Sequence, residues 1–420
     1  MIDIISGPLK DFVEISVPGS KSFTHRMLIA AALSAGKCTV ENCLDSEDTQ
    51  LTRAALTQLG VKFQTDPDRL VIYGQGGKWL PNPEPLFLGN SGTSMRLLAA
   101  VVALGTGVYR LMGTTRMHAR PIQDLLDALN QLDVTARSMS RDGCPPVEIH
   151  TGTLRGGSVM IDCGTSSQYL SGLLLMAPVL ERGLEIHVTK GPVSRPYIDM
   201  TLQVMAQFGI RYERDGYRQF KVFGKQRYQP GDYTVEPDAS QASYFWAAAA
   251  VSGTTVKVTG LPHDSIQGDL RIIELLEAMG CEVDRDSRGI SVTGGPLAGV
   301  DVDMGDMPDM VPTLAVVAAF AQGPTRIRNV AHLKVKESDR LGAVTNELAK
   351  IGIEAHPAGD DLIVHGGAPK GAVIHTYNDH RIAMSFSVVG LRSSGVRIEN
   401  EGCVAKSFPT YWEVFRQLYS

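Results

Sequence analysis

The sequence predicts an α/β protein of two globular domains, each built from three strand–helix–strand–helix–strand–strand units (βαβαββ). Three observations predict it. An apolar helix-like run that ends in Gly and continues as an alternating, β-branched strand occurs six times, at Gly36, Gly107, Gly183, Gly253, Gly323 and Gly395. The spacings are 71, 76, 70, 70 and 72 residues. Glycine suits the left-handed position that ends a helix, and alternation suits a strand. A second series interleaves with the first: LGVKF (Gly60), LDVTA (Asp133), FGIRY (Gly209), MGCEV (Gly280) and IGIEA (Gly352), spaced by 73, 76, 71 and 72. The third observation is composition. A chain of 420 residues, 43% hydrophobic and 20% charged, is long enough for two or three domains and apolar enough to fold. An eight-unit barrel would need shorter units. An open solenoid would need polar capping repeats, and none is seen.

In chain order, each unit opens on an apolar helix whose first turn is polar. These turns read SKSFTHR (Ser20–Arg26), NSGTSMR (Asn90–Arg96), SSQYLS (Ser166–Ser171), DASQASY (Asp238–Tyr244), MPDMVPT (Met307–Thr313) and NDHRIAM (Asn378–Met384). After each helix come its Gly mark and a strand, then the helix of the second series, then a closing pair of strands. The last helix, YWEVFRQLYS, runs out at Ser420, so its unit lacks a strand. The N-terminal IDIISG is expected to supply it, which puts both chain ends in one domain. Pro237, after the extended GDYTVEP, and Val17-Pro18-Gly19 mark the crossings. The expected domains are 1–18 with 237–420, and 19–236.

Composition also excludes several classes. A net charge of −5 and a pI near 6.1 disfavour a general nucleic-acid binder. The longest apolar runs are far shorter than a membrane span of about 18 residues, and no secretory signal is expected. The six cysteines form no CxxC pair and are expected to be reduced and mostly buried, as in a cytoplasmic protein. The ten histidines show no HExxH spacing, so no metal site is expected from them. Neither a GxSxG elbow nor a complete phosphate loop is present.

The polar turns carry the functional signal. A helix start has free N–H donors and a partial positive charge, so one Ser, Thr, Asn or Asp there is explained as a cap. Capping does not explain Lys21 with Arg26, Arg96, or His380 with Arg381, because cations oppose the dipole there. They make sense if an anion sits between them and the helix end. KVKESDR (Lys334–Arg340) reads equally well as a solvated helix start, and Tyr377–Arg381 as a buried cap network.

Ten ordered strings now identify a resemblance: PGSKSFTHR, LGNSGTSMR, RMHARPIQDL, SSQYLSGLL, SRPYIDMT, DASQASYF, PDMVPTLA, KVKESDRL, YNDHRIAMS and AKSFPTYW. The chain resembles the 5-enolpyruvylshikimate-3-phosphate (EPSP) synthase family nearly end to end. The resemblance implies two domains of three βαβαββ copies with ligands bound in the interdomain cleft. It implies transfer of the enolpyruvyl group of phosphoenolpyruvate to the 5-hydroxyl of shikimate 3-phosphate, with no cofactor and no metal. It implies that Lys21, Ser22, Arg26, Ser166, Ser167, Gln168, Ser194, Asp309, His332 and Lys336 hold shikimate 3-phosphate. It assigns phosphoenolpyruvate to Lys21, Gly92, Arg120, Gln168, Arg340, Arg381 and Lys406, and the catalytic roles to Lys21, Asp309 and Glu337. A cytoplasmic monomer acting on small molecules, without nucleic acid or membrane, is expected.

Two positions depart from the family's usual strings. His332 stands where Asn is usual, and Leu97 where Pro is common. Gly92 is retained, so glyphosate is expected to compete with phosphoenolpyruvate. One alternative is the enolpyruvyl transferase of UDP-N-acetylglucosamine, which carries a reactive Cys five residues before its Arg-Pro pair. Here that position, before Arg120-Pro121, is Thr115. The other is a non-catalytic anion-binding regulator on the same scaffold.

Overall fold

A computed structural model describes residues 1–66 and 69–420. The chain forms two compact units: unit 1, Met1–Pro18 with Glu236–Ser420, and unit 2, Gly19–Val235. The crossing falls between Val235 and Glu236, one residue before the expected one.

Unit 2 carries α1 (Lys21–Leu33), α2 (Glu47–Gln58), α3 (Gly92–Val101), α4 (Gln123–Asn130), α5 (Gln168–Met176) and α6 (Pro196–Gln207). Unit 1 carries α7 (Ala239–Ser252), α8 (Ile272–Met279), α9 (Val311–Ala318), α10 (Arg340–Lys350), α11 (His380–Ser387) and α12 (Tyr411–Phe415). The first helix of each repeat (α1, α3, α5, α7, α9 and α11) is buried along nearly all its length. Helices apolar on every side belong in the centre of a core. Their partners are amphipathic: α4 buries Leu125, Leu126, Ala128 and Leu129 and exposes Gln123 and Asp127. Each unit has its own apolar core, and each fully buried Leu, Ile or Phe contributes about 1.5–3 kcal/mol.

One sheet shows the repeat. Leu86–Phe87 runs parallel to Gly107–Met112, with α3 as the crossover between them. α4 then leads to Thr135–Ser138, which pairs antiparallel with Val147–Thr151. That strand returns antiparallel along Gly107–Met112, with His150 opposite Val108. Parallel neighbours require a crossover helix, whereas antiparallel ones need only a short turn. The same order recurs around Leu184–Lys190 and Pro324–Arg328. Two sheets borrow their first strand: Asp232–Thr234 joins Lys37–Glu41, and Phe12–Ser16 joins Thr255–Thr259. The sixth sheet has three strands, and its edge is Ile2–Asp3 paired antiparallel with Arg397–Ile398. The N-terminal segment therefore completes the last repeat.

The periodic marks are helix ends and turns of left-handed backbone. Gly107, Gly183, Gly253, Gly323 and Gly395 have φ between 68° and 102°, and all five members of the second series have positive φ, Asp133 included at 61°. Gly36 is the exception. α1 is closed earlier, at Ser34, whose N–H reaches the Ala30 and Ala31 carbonyls. Gly36 serves close packing instead, because a Cβ there would sit 3.0 Å from the Pro230 ring. Four of the six cysteines are buried, and Cys43 and Cys144 are partly exposed.

Candidate functional site

In unit 2 the first turns of α1, α3 and α5 share one polar network. Ser20 caps α1 and Ser91 caps α3. Lys21 opens α1, is buried, and places Nζ 3.3 Å from the Asp48 carboxylate at the start of α2. A hydroxyl chain links the helices: His25 Nδ1 to Thr52 Oγ1 at 2.8 Å, Thr52 to Ser94 at 2.7 Å, and Ser94 to Ser91 at 2.7 Å. Gln168, the first residue of α5, donates to Thr93 Oγ1 at 3.0 Å and accepts from Arg96 Nη1 at 2.9 Å. Arg96 also donates to the Pro121 carbonyl and lies over the Tyr169 ring.

Arg120 Nη1 donates to the backbone and side-chain oxygens of Asn90 at 2.8 and 3.1 Å. This holds its guanidinium against Gly92, where an added Cβ would stand 2.5 Å from Nη2. Only a residue without a side chain allows that approach. Ser166 Oγ accepts from the Gln168 N–H at 3.3 Å, and Ser167 is buried beside it. Ser194 has left-handed backbone, φ 54°, and is 4% exposed. Its buried hydroxyl has no hydrogen-bond partner among the described residues. Such a group costs about 1–3 kcal/mol unless something pairs with it.

Unit 1 gathers charges of both signs at the starts of α7, α9, α10 and α11. Asp379 caps α11 and is fully buried. It accepts from the Arg381 N–H at 3.0 Å, Ser338 Oγ at 2.9 Å and Arg340 Nε at 2.8 Å. Arg340 also reaches Asp309 Oδ1 at 2.8 Å and Glu337 Oε2 at 2.7 Å. Arg381 reaches Asp309 Oδ2 at 2.6 Å and the Tyr244 hydroxyl at 3.2 Å. Each Asp309 oxygen thus meets a different guanidinium. Burial pushes the Asp309 carboxyl up, but Arg381 and Arg340 outweigh it and hold it well below the ordinary carboxylate range. Burial opposes the Arg340 charge, but Asp379, Glu337 and Asp309 more than restore it. Burial, with help from Asp309, raises Asp269 to about 6; this carboxyl accepts from Ser240. Burial and then Lys336 lower His332 to about 3, so its imidazole is neutral. Lys406 is buried at the end of the Glu401–Lys406 turn, and the next carbonyl, of Ser407, accepts from Gln241 of α7 at 2.6 Å.

The residues expected from the sequence therefore fall into two groups. Lys21, Ser22, Arg26, Gly92, Arg120, Ser166, Ser167, Gln168 and Ser194 lie in unit 2. Asp309, His332, Lys336, Glu337, Arg340, Arg381 and Lys406 lie in unit 1. Arg26 is held inside the protein: it donates to Thr201, the Ser22 carbonyl, Ser171 and the Tyr197 carbonyl, and burial lowers it to about 10. In KVKESDR only Asp339 behaves as a solvated cap, accepting from the Gly342 N–H, while Glu337 and Arg340 turn inward. The cap network at Asp379 is real and also fixes the Arg340 guanidinium. Sequence reasoning missed Asp48, Tyr244 and Asp269. Asp48 reads as an ordinary acidic first turn, and its pairing with Lys21 crosses 27 residues.

Two units of βαβαββ repeats, with polar helix starts gathered in each, define an enolpyruvyl-transferase fold. The enolpyruvyl transferase NikO from Streptomyces tendae shares that fold at a TM-score of 0.78, covering 99% of this chain and 96% of its own, at 22% identity. EPSP synthase from Acinetobacter baumannii is closer, with a TM-score of 0.82 and 29% identity over 99% of this chain and 98% of its own. The 3-phosphoshikimate 1-carboxyvinyltransferase of Syntrophobacter fumaroxidans is 45% identical over 411 residues, 97% of each chain. Residues 7–415 match the family EPSP synthase (3-phosphoshikimate 1-carboxyvinyltransferase). The chain belongs to the EPSP synthase family.

Proposed function

We propose that the two polar clusters divide the EPSP synthase reaction between them. The reaction transfers the enolpyruvyl group of phosphoenolpyruvate to the 5-hydroxyl of shikimate 3-phosphate and releases phosphate, a step of the shikimate pathway to aromatic amino acids. The observation that carries the division is Asp309, an ionised carboxylate clamped by two arginines with Glu337 on one of them. In the addition step the hydroxyl oxygen attacks the enol carbon, its proton passes to Asp309, and Glu337, protonated once the bound phosphates raise its pKa, delivers that proton to the methylene carbon. In the elimination step Glu337 takes a proton back from that carbon, and the bond to phosphate breaks with a proton returned from Asp309. Two carboxylates suit two proton transfers.

Both substrates are polyanions, so charge-assisted donors must hold them in line for attack. Lys21, Ser22, Ser166, Ser167, Gln168 and Ser194, with His332 and Lys336, serve shikimate 3-phosphate. The neutral imidazole of His332 acts as a hydrogen-bonding group without charge. Arg26 acts through Ser22, whose backbone carbonyl it holds. Arg120, Arg340, Arg381 and Lys406 serve phosphoenolpyruvate, with Lys21 shared. The proposed roles call on no residue beyond this chain, so the reading is of a monomer, and of a cytoplasmic one. No described helix is long and apolar enough to cross a membrane.

The test is phosphate release by the purified protein. It should require both substrates and yield one carboxyvinyl product per phosphate. UDP-N-acetylglucosamine should not replace shikimate 3-phosphate. Ligand protection against unfolding without turnover would leave only a binding protein.

A further inference from the structure

A third group of chemistry-bearing side chains lies outside both clusters, on a hairpin of unit 1. Ala355–Ala358 pairs antiparallel with Asp361–His365, with Ala355 opposite Val364 and His356 opposite Ile363. The ladder continues as the His365 N–H donates to the Glu354 carbonyl at 2.9 Å. Side chains alternate along a strand, so Glu354, His356 and His365 stand on one face. One ligating atom from each lies within 4.8 Å of the other two. The imidazole rings are near parallel, 22° apart with centroids 5.9 Å apart. His150, His187 and His375 differ, because each sits against a single carboxylate. Among the described residues, no other three His, Cys, Asp or Glu side chains converge in this way.

We propose that Glu354, His356 and His365 bind a late first-row divalent cation, with Zn²⁺ as the reference ion. Two imidazole nitrogens and one carboxylate oxygen suit zinc, nickel or copper, whereas magnesium and calcium prefer an all-oxygen shell. Ligand bonds of about 2.0–2.2 Å to a tetrahedral ion place the donors about 3.3–3.5 Å apart. Glu354 and His356 are exposed and His365 is half-buried, so on a fixed ladder rotation can close that gap, and water would fill the remaining position. The bound ion would tie the two strands together at the end opposite the turn. At the turn, the Asp360 carbonyl accepts from the Val330 N–H at 2.8 Å, and Asp361 accepts from the Asn329 N–H at 3.1 Å. The clamped hairpin thus supports the backbone just before His332. The ion has no part in the enolpyruvyl transfer.

Zinc titration of chelator-treated protein by calorimetry tests this. One ion per chain should bind with micromolar affinity or better, and magnesium should not compete. His356→Ala and His365→Ala should each weaken binding by about tenfold or more, and Glu354→Gln by less. The double histidine variant should lose the site while keeping the metal-free turnover, which also certifies its fold. Binding by the double variant with unchanged stoichiometry and affinity would overturn the proposal. So would wild-type binding only at millimolar zinc, the mark of adventitious surface histidines.

Discussion

The two units solve charge control at their helix starts with different materials. In unit 2, Arg96 and Arg120 donate to amide and carbonyl oxygens of Gln168, Pro121 and Asn90, among a chain of hydroxyls. In unit 1, Arg340 and Arg381 donate to the carboxylates of Asp309, Glu337 and Asp379. Neutral acceptors orient a guanidinium without cancelling its charge, which suits anion binding. The Asp309 carboxylate, locked between two guanidiniums, stays ionised, which suits a proton acceptor. On the proposed reading, the unit 2 cluster anchors substrate, and the unit 1 cluster adds acid–base chemistry to its own anchoring.

The sharpest way to break that division is Glu337→Gln. It keeps the shape beside Arg340 but removes the proton donor. Turnover should fall by about 10²–10⁴-fold, the usual worth of general acid–base catalysis, while KM for shikimate 3-phosphate changes only a few-fold. A large KM effect with normal kcat would make Glu337 an anchor. Gly92→Ala should come next. Its methyl would push the Arg120 guanidinium off Asn90, raising KM for phosphoenolpyruvate about tenfold and weakening glyphosate inhibition at least as much. Steady-state kinetics with glyphosate as competitor would show it.

Ser194→Ala should have a smaller and two-sided effect. KM for shikimate 3-phosphate should rise about 3–10-fold, as for loss of one hydrogen bond. Unfolding stability should hold or rise, because the buried hydroxyl has no described protein partner to lose. A stability loss without a KM change would make the hydroxyl structural. The smallest effect lies outside both clusters. His150, Arg110 and Arg137 hold the Glu148 carboxyl down at about 2. A depressed carboxyl stabilises the fold fully above its unfolded pKa, and that stability is lost as pH falls through the folded one. Glu148→Gln should therefore cost about 1–2 kcal/mol at neutral pH, discounted for the exposed arginines. The cost should shrink between about pH 4.5 and 2, as denaturant titration at each pH would report.

Much of this was legible in the sequence, and the reasons are physical. The repeat shows because a left-handed residue recurs in the turn between a helix and the strand that follows it, Gly36 excepted, so glycine marks recur with the fold. The polar turns show because cations at helix starts defy the dipole. Pairings across elements were hidden. Nothing local tells that Asp48 meets Lys21, that Asp379 holds the Arg340 guanidinium while capping its helix, or that Arg26 turns inward to Thr201 and Ser171. His356 and His365 meet only through strand register, so no linear motif announces them.

The central claim is that Asp309, held as an anion by Arg340 and Arg381, takes the hydroxyl proton. The most direct test is the pH dependence of kcat and kcat/KM for wild type and Asp309→Asn. In wild type, Asp309 should give kcat/KM no acid limb above about pH 4, while bound anions shift the limb in kcat upward. The Asn variant should keep substrate affinity and lose at least about 100-fold in kcat at every pH. Turnover within a few-fold of wild type, with an unchanged profile, would contradict the account.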